Sequence, residues 1–305
     1  MLSMDADTGT YPRQETVTYS DASTLNTVSL DLLSPPKPND TTHLWLLYIH
    51  GGAWRDPAIS ASSFESIRTH LLKSACASRI AGIASINYRL SPYPHHPTDP
   101  SSPDDPARNA RHPDHINDVL AAILHLQETY HFGDRYVLVG HSCGATLALQ
   151  VAMRRYWGSQ YESTYALELN VEPPVAVIGS EGLYDIPALI SEYKSIPAYR
   201  DFIVNAFGSD EAVWKDASPS GIESEESWPD GKLIWLVHST DDGLVSMRQP
   251  EIMLRTLQKQ GWKIEGNPLR SARLVKLKSL THDQVWTDGE ALAGCIADVV
   301  DKLLS

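Results

Sequence analysis

The stretch "LVGHSCGATLAL", residues 138–149, runs from an apolar, strand-like segment through Gly140, Ser142 and Gly144 into a segment with helical spacing. Glycines two residues before and after a serine suit a sharp turn in which a strand and a helix approach closely. In such a turn the serine is either an exposed nucleophile or an inert turn residue. The motif alone is common, but a strand before it and a helix after it favour the nucleophile.

Alternating strand and helix patterns extend from this turn in both directions. Apolar segments predict strands at 27–33, 43–50, 80–90, 135–140, 174–180, 232–239 and 272–280, and helical spacing predicts helices at 62–77, 115–130, 143–156, 246–260 and 288–304. This order predicts an α/β fold with a mainly parallel central sheet and helices on both faces. We expect a single domain over residues 1–305, with a small helical cap inserted at 181–230. A proline-dense loop at 91–113 has no periodicity.

Composition limits the partners and the compartment. The 25 Lys and Arg residues face 38 Asp and Glu residues, for a net charge of −13 without a basic block, so we expect no nucleic-acid or membrane partner. Three widely spaced cysteines without a CxxC pair predict neither a disulfide framework nor a zinc site. The polar, acidic N-terminal segment does not resemble a signal peptide, and no apolar run reaches the roughly 18 residues of a membrane span. These features predict a soluble, cytoplasmic protein.

Candidate partners for Ser142 follow two late strands. A serine hydroxyl needs a base to take its proton, and that base needs an orienting acid. Asp241 and Asp242 follow the strand at 232–239, and His282 follows the strand at 272–280, in the order expected of a doubly wound hydrolase. We prefer Asp242 as the acid because "HSTDDGLVS" resembles a common hydrolase pattern in which the acid lies three residues before a buried valine, here Val245. We expect Asp241 to be a solvated or turn-capping neighbour.

Two glycine-rich turns could supply the N–H donors that hold a developing oxyanion. One donor is the backbone N–H of Cys143, the residue after the serine. Another is expected from Gly51 and Gly52 in "YIHGGAWRDP", residues 48–57, which follow an early strand.

Histidines also occur away from these turns. His95, His96 and His112 lie in the proline-dense loop, but their spacing matches no common ligand pattern, so we predict no metal site.

The glycine turn carries a family resemblance. His50-Gly51-Gly52-Ala53-Trp54 resembles the HGGxW motif of the kynurenine formamidases (arylformamidases), which have the α/β-hydrolase fold. Residues 86–94, 179–190 and 206–219 are similar to the fungal branch of that family, and the resemblance extends from about residue 15 to residue 304.

The resemblance implies the residues of an active site. Ser142 would be the nucleophile, Asp242 the acid and His282 the base. The oxyanion donors would be Gly52, one of its neighbours Gly51 or Ala53, and Cys143.

The resemblance also implies a reaction: hydrolysis of N-formyl-L-kynurenine to L-kynurenine and formate through a formyl-serine intermediate, with no metal or organic cofactor. It further suggests a homodimer. Two alternatives stay open, a general short-chain carboxylesterase that uses the same triad and a hydrolase-fold protein that only binds a small ligand.

Substrate contacts are less defined. Trp54 either walls the pocket or lies in the core beneath the glycine turn. Tyr184 is a candidate substrate contact, and Glu181 and Asp185 lie in the region expected for the amino-acid end of the substrate. We expect Asp185 to cap a helix that begins at Ile186-Pro187, and Arg89 to be structural.

Overall fold

A twisted sheet forms the centre of the protein. The computed structural model describes residues 11–35, 37, 40–153, 170–222, 227–264 and 270–305. Within these residues nine strands form one sheet in the order β1-β2-β4-β3-β5-β6-β7-β9-β8. They are β1 (Arg13–Thr18), β2 (Thr27–Leu32), β3 (Leu44–Ile49), β4 (Ile80–Ile86), β5 (Tyr136–His141), β6 (Ala176–Ser180), β7 (Leu233–Ser239), β8 (Lys263–Ile264) and β9 (Ser271–Leu277). The pairs β1–β2 and β2–β4 are antiparallel and the other pairs are parallel.

Helices cover both faces of this sheet. They are α1 (Glu65–Lys73), α2 (Asp114–Tyr130), α3 (Cys143–Ala152), α4 (Ile186–Glu192), α5 (Pro197–Phe207), α6 (Glu211–Ala217), α7 (Arg248–Lys259), α8 (Gln284–Thr287) and α9 (Glu290–Leu304). One apolar core includes buried side chains of α2, α3 and α7, and a second, on the opposite face, includes those of α1 and α9. Residues on both faces of β3, β4 and β5 are buried, which explains their continuous apolar sequences. The predicted α/β architecture with a mainly parallel sheet is confirmed.

The structure differs from the sequence prediction mainly at the edges of the sheet. Strand β1, "RQETVT", was not predicted because it is an edge strand whose residues are half-buried or exposed. Strand β8 has only two residues, which is too short for a pattern to indicate. Of the helix predicted at 143–156, residues 154–156 lie outside the described part of the chain.

The segment 181–230 contains the helices α4, α5 and α6 and a 3₁₀ turn at Pro219–Gly221. Residues 223–226 of that segment lie outside the described residues. That this segment forms a separate cap stays a prediction.

The carboxyl ends of the parallel strands meet at one edge of the sheet. Strands β3, β5, β6, β7 and β9 all end there, and the turns that follow them carry the residues selected from the sequence. Ligands of open α/β sheets bind at this edge. Over the ranges given above, no helix is both long and apolar enough to cross a membrane.

Candidate active site

The turn between β5 and α3 holds Ser142 in a strained conformation. Its φ of 54° and ψ of −123° lie in a region that non-glycine residues rarely adopt. The Ser142 N–H donates to the Ser180 carbonyl at 2.8 Å, which ties the turn to β6. A Cβ atom on Gly140 would overlap the carbonyl oxygen of Gly144, and one on Gly144 would overlap that of Ile49. Both glycines are therefore required by the close approach of helix and strands, as the motif predicts.

Asp242 and His282 meet beside this turn. His282 Nδ1 lies 2.7 Å from Asp242 Oδ2, and Asp242 Oδ1 accepts hydrogen bonds from the N–H groups of Leu244 at 2.7 Å and Val245 at 2.9 Å. Burial by itself raises the pKa of Asp242, but the hydrogen bonds from its partners outweigh burial and hold the pKa below its usual range. The ionised carboxylate thus accepts the Nδ1 hydrogen of His282 and selects the tautomer whose neutral ring has its free lone pair on Nε2, the arrangement that a general base needs.

Asp241 has a different position. The Asp241 Oδ2 accepts a hydrogen bond from the N–H of Ser279 at 2.7 Å, and Asp241 is exposed to solvent. The structure therefore pairs His282 with Asp242, while Asp241 holds the turn after β9, as the sequence predicts for each.

His141, inside the serine motif, packs against His282. Its Nε2 lies 3.2 Å from the carbonyl oxygen of His282, and the two rings pack edge to face at 4.8 Å. Burial and the neighbouring His282 lower the pKa of His141 well below its ordinary value, so its ring is neutral and Nε2–H donates to that carbonyl. No role for His141 could be predicted from the sequence, because only the fold brings it to residue 282.

The glycine turn after β3 lies directly against Ser142. Gly52, Ala53 and Trp54 have positive φ values of 92°, 50° and 59°. The Trp54 N–H donates to Cys143 Sγ at 3.2 Å, so the turn is bonded to the first residue of α3. A Cβ atom on Gly51 would come within 3.0 Å of the Ser142 Cβ, which shows how close the two turns are.

Cys143 enters this arrangement through both its backbone and its thiol. The first N–H groups of a helix have no intrahelical acceptor, so the Cys143 N–H is suited to hold an oxyanion together with the glycine turn. Burial raises the pKa of the thiol to about 11, so Sγ is a neutral acceptor and not a second nucleophile.

A pocket of about 340 Å³ opens above these residues, within the size range of small-molecule sites. Its floor includes Ser142, His141 and His282. Its walls come from the glycine turn, the proline-dense loop, α5 and the turns after β7 and β9, and they comprise Gly52, Ala53, Arg55, Asp56, Ile59, Tyr93, Leu183, Ala198, Tyr199, Phe202, Leu244, Val245, Asp283 and Trp286.

The four aromatic wall residues, Tyr93, Tyr199, Phe202 and Trp286, were not selected from the sequence. They come from three separate segments, and no local pattern distinguishes them from core aromatics. Of the four, only Trp286 could have been predicted as a wall residue, because it lies four residues after His282.

The two predicted substrate contacts do not line this pocket. Trp54 is fully buried and packs edge to face on Phe207 with ring centroids 4.9 Å apart, so the structure selects its alternative role in the core. Tyr184 is also fully buried, with its hydroxyl packed over Gly179 and Gly182. Trp54 thus has the second of its two predicted positions, and the expectation that Tyr184 contacts substrate is corrected, because neither side chain exposes a surface that a substrate could contact.

Other residues of that region are structural. Asp185 Oδ1 accepts from the N–H of Ala188 at 2.8 Å and caps α4. Arg89 pairs with Asp118 at 2.8 Å, away from the pocket. Both findings agree with the sequence prediction.

Relatives of known name cover most of the chain. The sequence profile of the BD-FAE family matches residues 30–257. A kynurenine formamidase-like hydrolase of Fusarium equiseti is 41% identical over 290 residues, which cover 93% of this chain and 92% of the relative. A kynurenine formamidase of Aspergillus versicolor is 38% identical over 260 residues, covering 78% and 85% respectively. The chain belongs to the kynurenine formamidase family.

Solved structures place this kynurenine formamidase family member among the α/β-hydrolases. A carbohydrate esterase from gut microbiota superposes with a TM-score of 0.66 at 18% identity, covering 96% of this chain and 97% of that one. An esterase/lipase from an uncultured bacterium gives a TM-score of 0.65 at 14% identity, covering 100% and 87%. At these identities the likeness concerns the fold, and it confirms the predicted α/β-hydrolase fold.

Proposed function

We propose that this protein hydrolyses N-formyl-L-kynurenine to L-kynurenine and formate, as a serine hydrolase with Ser142, His282 and Asp242 as its triad. The observation that carries the proposal is the hydrogen bond between Asp242 and His282, because His282 lines the same pocket as Ser142. Membership of the kynurenine formamidase family supports the substrate.

The reaction proceeds in two halves on this geometry. His282 Nε2 takes the Ser142 proton as Oγ attacks the formyl carbon, and the N–H groups of Gly52, one neighbour and Cys143 hold the oxyanion. Protonated His282 then gives its proton to the departing aniline nitrogen and leaves a formyl-serine. Water, activated by the same histidine, releases formate and restores the serine.

The pocket has groups for both ends of this substrate. Its four aromatic wall residues offer a surface for the aryl ring. The wall also carries both signs of charge, with the guanidinium of Arg55 and the carboxylate of Asp283, which suits a zwitterionic amino-acid group. Arg55 already binds Asp201 through Nη1 at 2.5 Å, and its guanidinium has further donors for a substrate carboxylate.

The test is release of formate from N-formyl-L-kynurenine by the purified wild-type protein, Ser142→Ala and His282→Ala. We expect turnover by the wild type and its loss in both variants. Comparing kcat/KM for the formamide with kcat/KM for a neutral aryl acetate separates the proposal from a general carboxylesterase. Hydrolysis of the ester without measurable hydrolysis of the formamide would show that the substrate assignment is wrong.

A serine-directed phosphonate tests the chemistry without reference to a substrate. We expect it to label Ser142 in the wild type and not in Ser142→Ala. Failure to label the wild type would favour a protein that only binds a ligand. The cytoplasmic location and the homodimer stay proposals, based on composition and on the family resemblance.

A further inference from the structure

A second carboxyl group lies behind the triad acid. Glu181 follows β6, and its side chain is completely buried. Its Oε1 accepts a hydrogen bond from the Ser239 N–H at 2.8 Å, and its own N–H donates to the Val237 carbonyl at 3.0 Å. Its φ of 50° is in the left-handed region, which is unfavourable for a glutamate. Glu181 is thus held against β7 in a strained conformation, a feature that often accompanies function.

The other oxygen of Glu181 faces the triad. Its Oε2 lies 3.3 Å from His238 Nε2, and that same nitrogen lies 3.6 Å from Asp242 Oδ2. One carboxylate oxygen of Glu181, one of Asp242 and one ring nitrogen of His282 all lie within 4.8 Å of one another. The hydroxyl-bearing Tyr184 is a further buried neighbour of the Glu181 carboxyl.

Two carboxyl groups that are buried this close together disfavour each other's ionised form, so the less stabilised one keeps a proton. Asp242 accepts two backbone N–H groups and the imidazole of His282, which favour its ionised form. Glu181 has one backbone donor, and burial raises its pKa to about 10. Burial also lowers the pKa of His238, whose Nε2 hydrogen is directed to the Val245 carbonyl at 2.8 Å. The proton therefore resides on Glu181.

We propose that Glu181 is a positioning residue of the triad: a neutral carboxylic acid that donates a hydrogen bond to Asp242 and fixes the face that this carboxylate presents to His282. Glu181 does not line the pocket. The proposal rests on the triad of the proposed function, but it holds for any acyl substrate of Ser142.

Two substitutions distinguish the effect of the hydrogen-bond donor on Glu181 from the effects of the charge and the volume of its side chain. Glu181→Gln keeps the acceptor for Ser239 and an N–H donor for Asp242 without any ionisable group. Glu181→Met keeps a similar volume and removes both polar functions. Kinetics with N-formyl-L-kynurenine and the rate of phosphonate labelling of Ser142 are measured for both.

We expect Glu181→Gln to retain kcat within about threefold. We expect Glu181→Met to lower kcat and the labelling rate about 10- to 100-fold with little change in KM, as for the loss of one hydrogen bond to a charged group. Loss of activity in Glu181→Gln as large as in Glu181→Met would overturn the proposal. If the Met variant does not fold by circular dichroism, the Gln variant decides alone, and a loss of tenfold or more contradicts the neutral donor.

A double-variant cycle tests whether Glu181 acts through Asp242. In an Asp242→Asn background, Glu181→Met should change the labelling rate by less than about twofold, because the group that it positions is already gone. An undiminished effect in that background would assign Glu181 a merely structural role. Asp118→Asn is the matched control, since it alters a buried carboxylate paired with Arg89 outside the pocket and should leave kcat unchanged.

The labelling rate also keeps this proposal separate from the choice of substrate. A wild-type protein that is labelled by the phosphonate but releases no formate would contradict the formamidase assignment alone. The Glu181 variants would still report on the triad by their labelling rates.

Discussion

The two sides of the pocket are built in different ways. On the inner side, Ser142 is 7% exposed, and the side chains of Glu181 and Asp242 are fully buried and held by backbone groups of β7 and its following turn. On the outer side, Tyr199 and Trp286 are half-buried and Leu244 is 51% exposed. The inner side resembles a protein core, where small changes in volume or charge have large effects, whereas the outer side can change its side chains with little effect on the fold. We therefore expect inner substitutions to affect chemistry and folding, and outer ones to affect the choice of substrate.

The largest effect is expected at the nucleophile. Ser142→Ala removes the attacking oxygen but leaves the pocket intact, so kcat for N-formyl-L-kynurenine should fall about 10⁴- to 10⁶-fold. Formate release measures the rate, and a thermal melt like that of the wild type is the control. Retention of more than about 1% of the activity would remove Ser142 from the mechanism.

The next effect tests how strictly the inner side is packed. Gly144→Ala places a methyl group against the carbonyl oxygen of Ile49, so the free energy of unfolding should fall by about 1–3 kcal/mol and kcat/KM should fall with it. Gly294→Ala in α9 is the matched control, since open space surrounds its position and alanine is a better helix former. Equal stability of the two variants in urea would contradict the tight packing.

A third effect depends on pH. The folded-state pKa of Glu181, about 10, lies above its ordinary value of 4.5, so wild-type folding takes up a proton between these limits and stability falls as pH rises through them. Glutamine needs no proton, so Glu181→Gln should have the same stability as the wild type near pH 4 and should be more stable by up to about 3 kcal/mol at pH 7. Urea unfolding at several pH values measures the difference. A difference that does not depend on pH would mean that Glu181 is not protonated on folding.

The smallest effect is expected at the charged wall of the pocket, where Arg55 is buried and binds Asp201. Arg55→Gln removes the guanidinium of that wall, so KM for N-formyl-L-kynurenine should rise about tenfold, the size expected for the loss of one hydrogen bond to a charged group. Its KM for a neutral aryl acetate should not change. Arg200→Gln on α5 is the control, because Arg200 is exposed and does not line the pocket. An equal rise in KM for both substrates would show that Arg55 supports the wall without binding the carboxylate.

The sequence predicted the inner side better than the outer side, for a physical reason. Parallel strands end at one edge of the sheet, so the positions of Ser142, Asp242 and His282 after three strands imply that they meet. Their catalytic roles stay predictions, but the strand pattern by itself predicts that the three residues lie close together. For Glu181 the sequence predicts only a position near the substrate region, because the burial of its side chain depends on where the turn that contains Asp242 lies.

The outer side could not be predicted in the same way. Tyr93, Tyr199 and Trp286 converge only after the proline-dense loop and α5 have packed over the edge of the sheet. Trp54 shows an ambiguity of the opposite kind, since an aromatic residue next to a functional turn could face either the ligand or the core, and the sequence could not decide between the two. The positive φ values from Gly52 to Trp54, which no residue pattern indicated, accompany its burial.

The hydrogen bond from the Trp54 N–H to Cys143 Sγ makes that thiol a reporter of local motion. The thiol is buried between the glycine turn and the Tyr88 hydroxyl, and its raised pKa makes it unreactive while the turn is closed. An alkylating reagent can therefore reach Cys143 only when the turn detaches from α3. The alkylation rate of this one cysteine would measure how often the glycine turn separates from the start of α3 beside Ser142, and bound substrate should slow it.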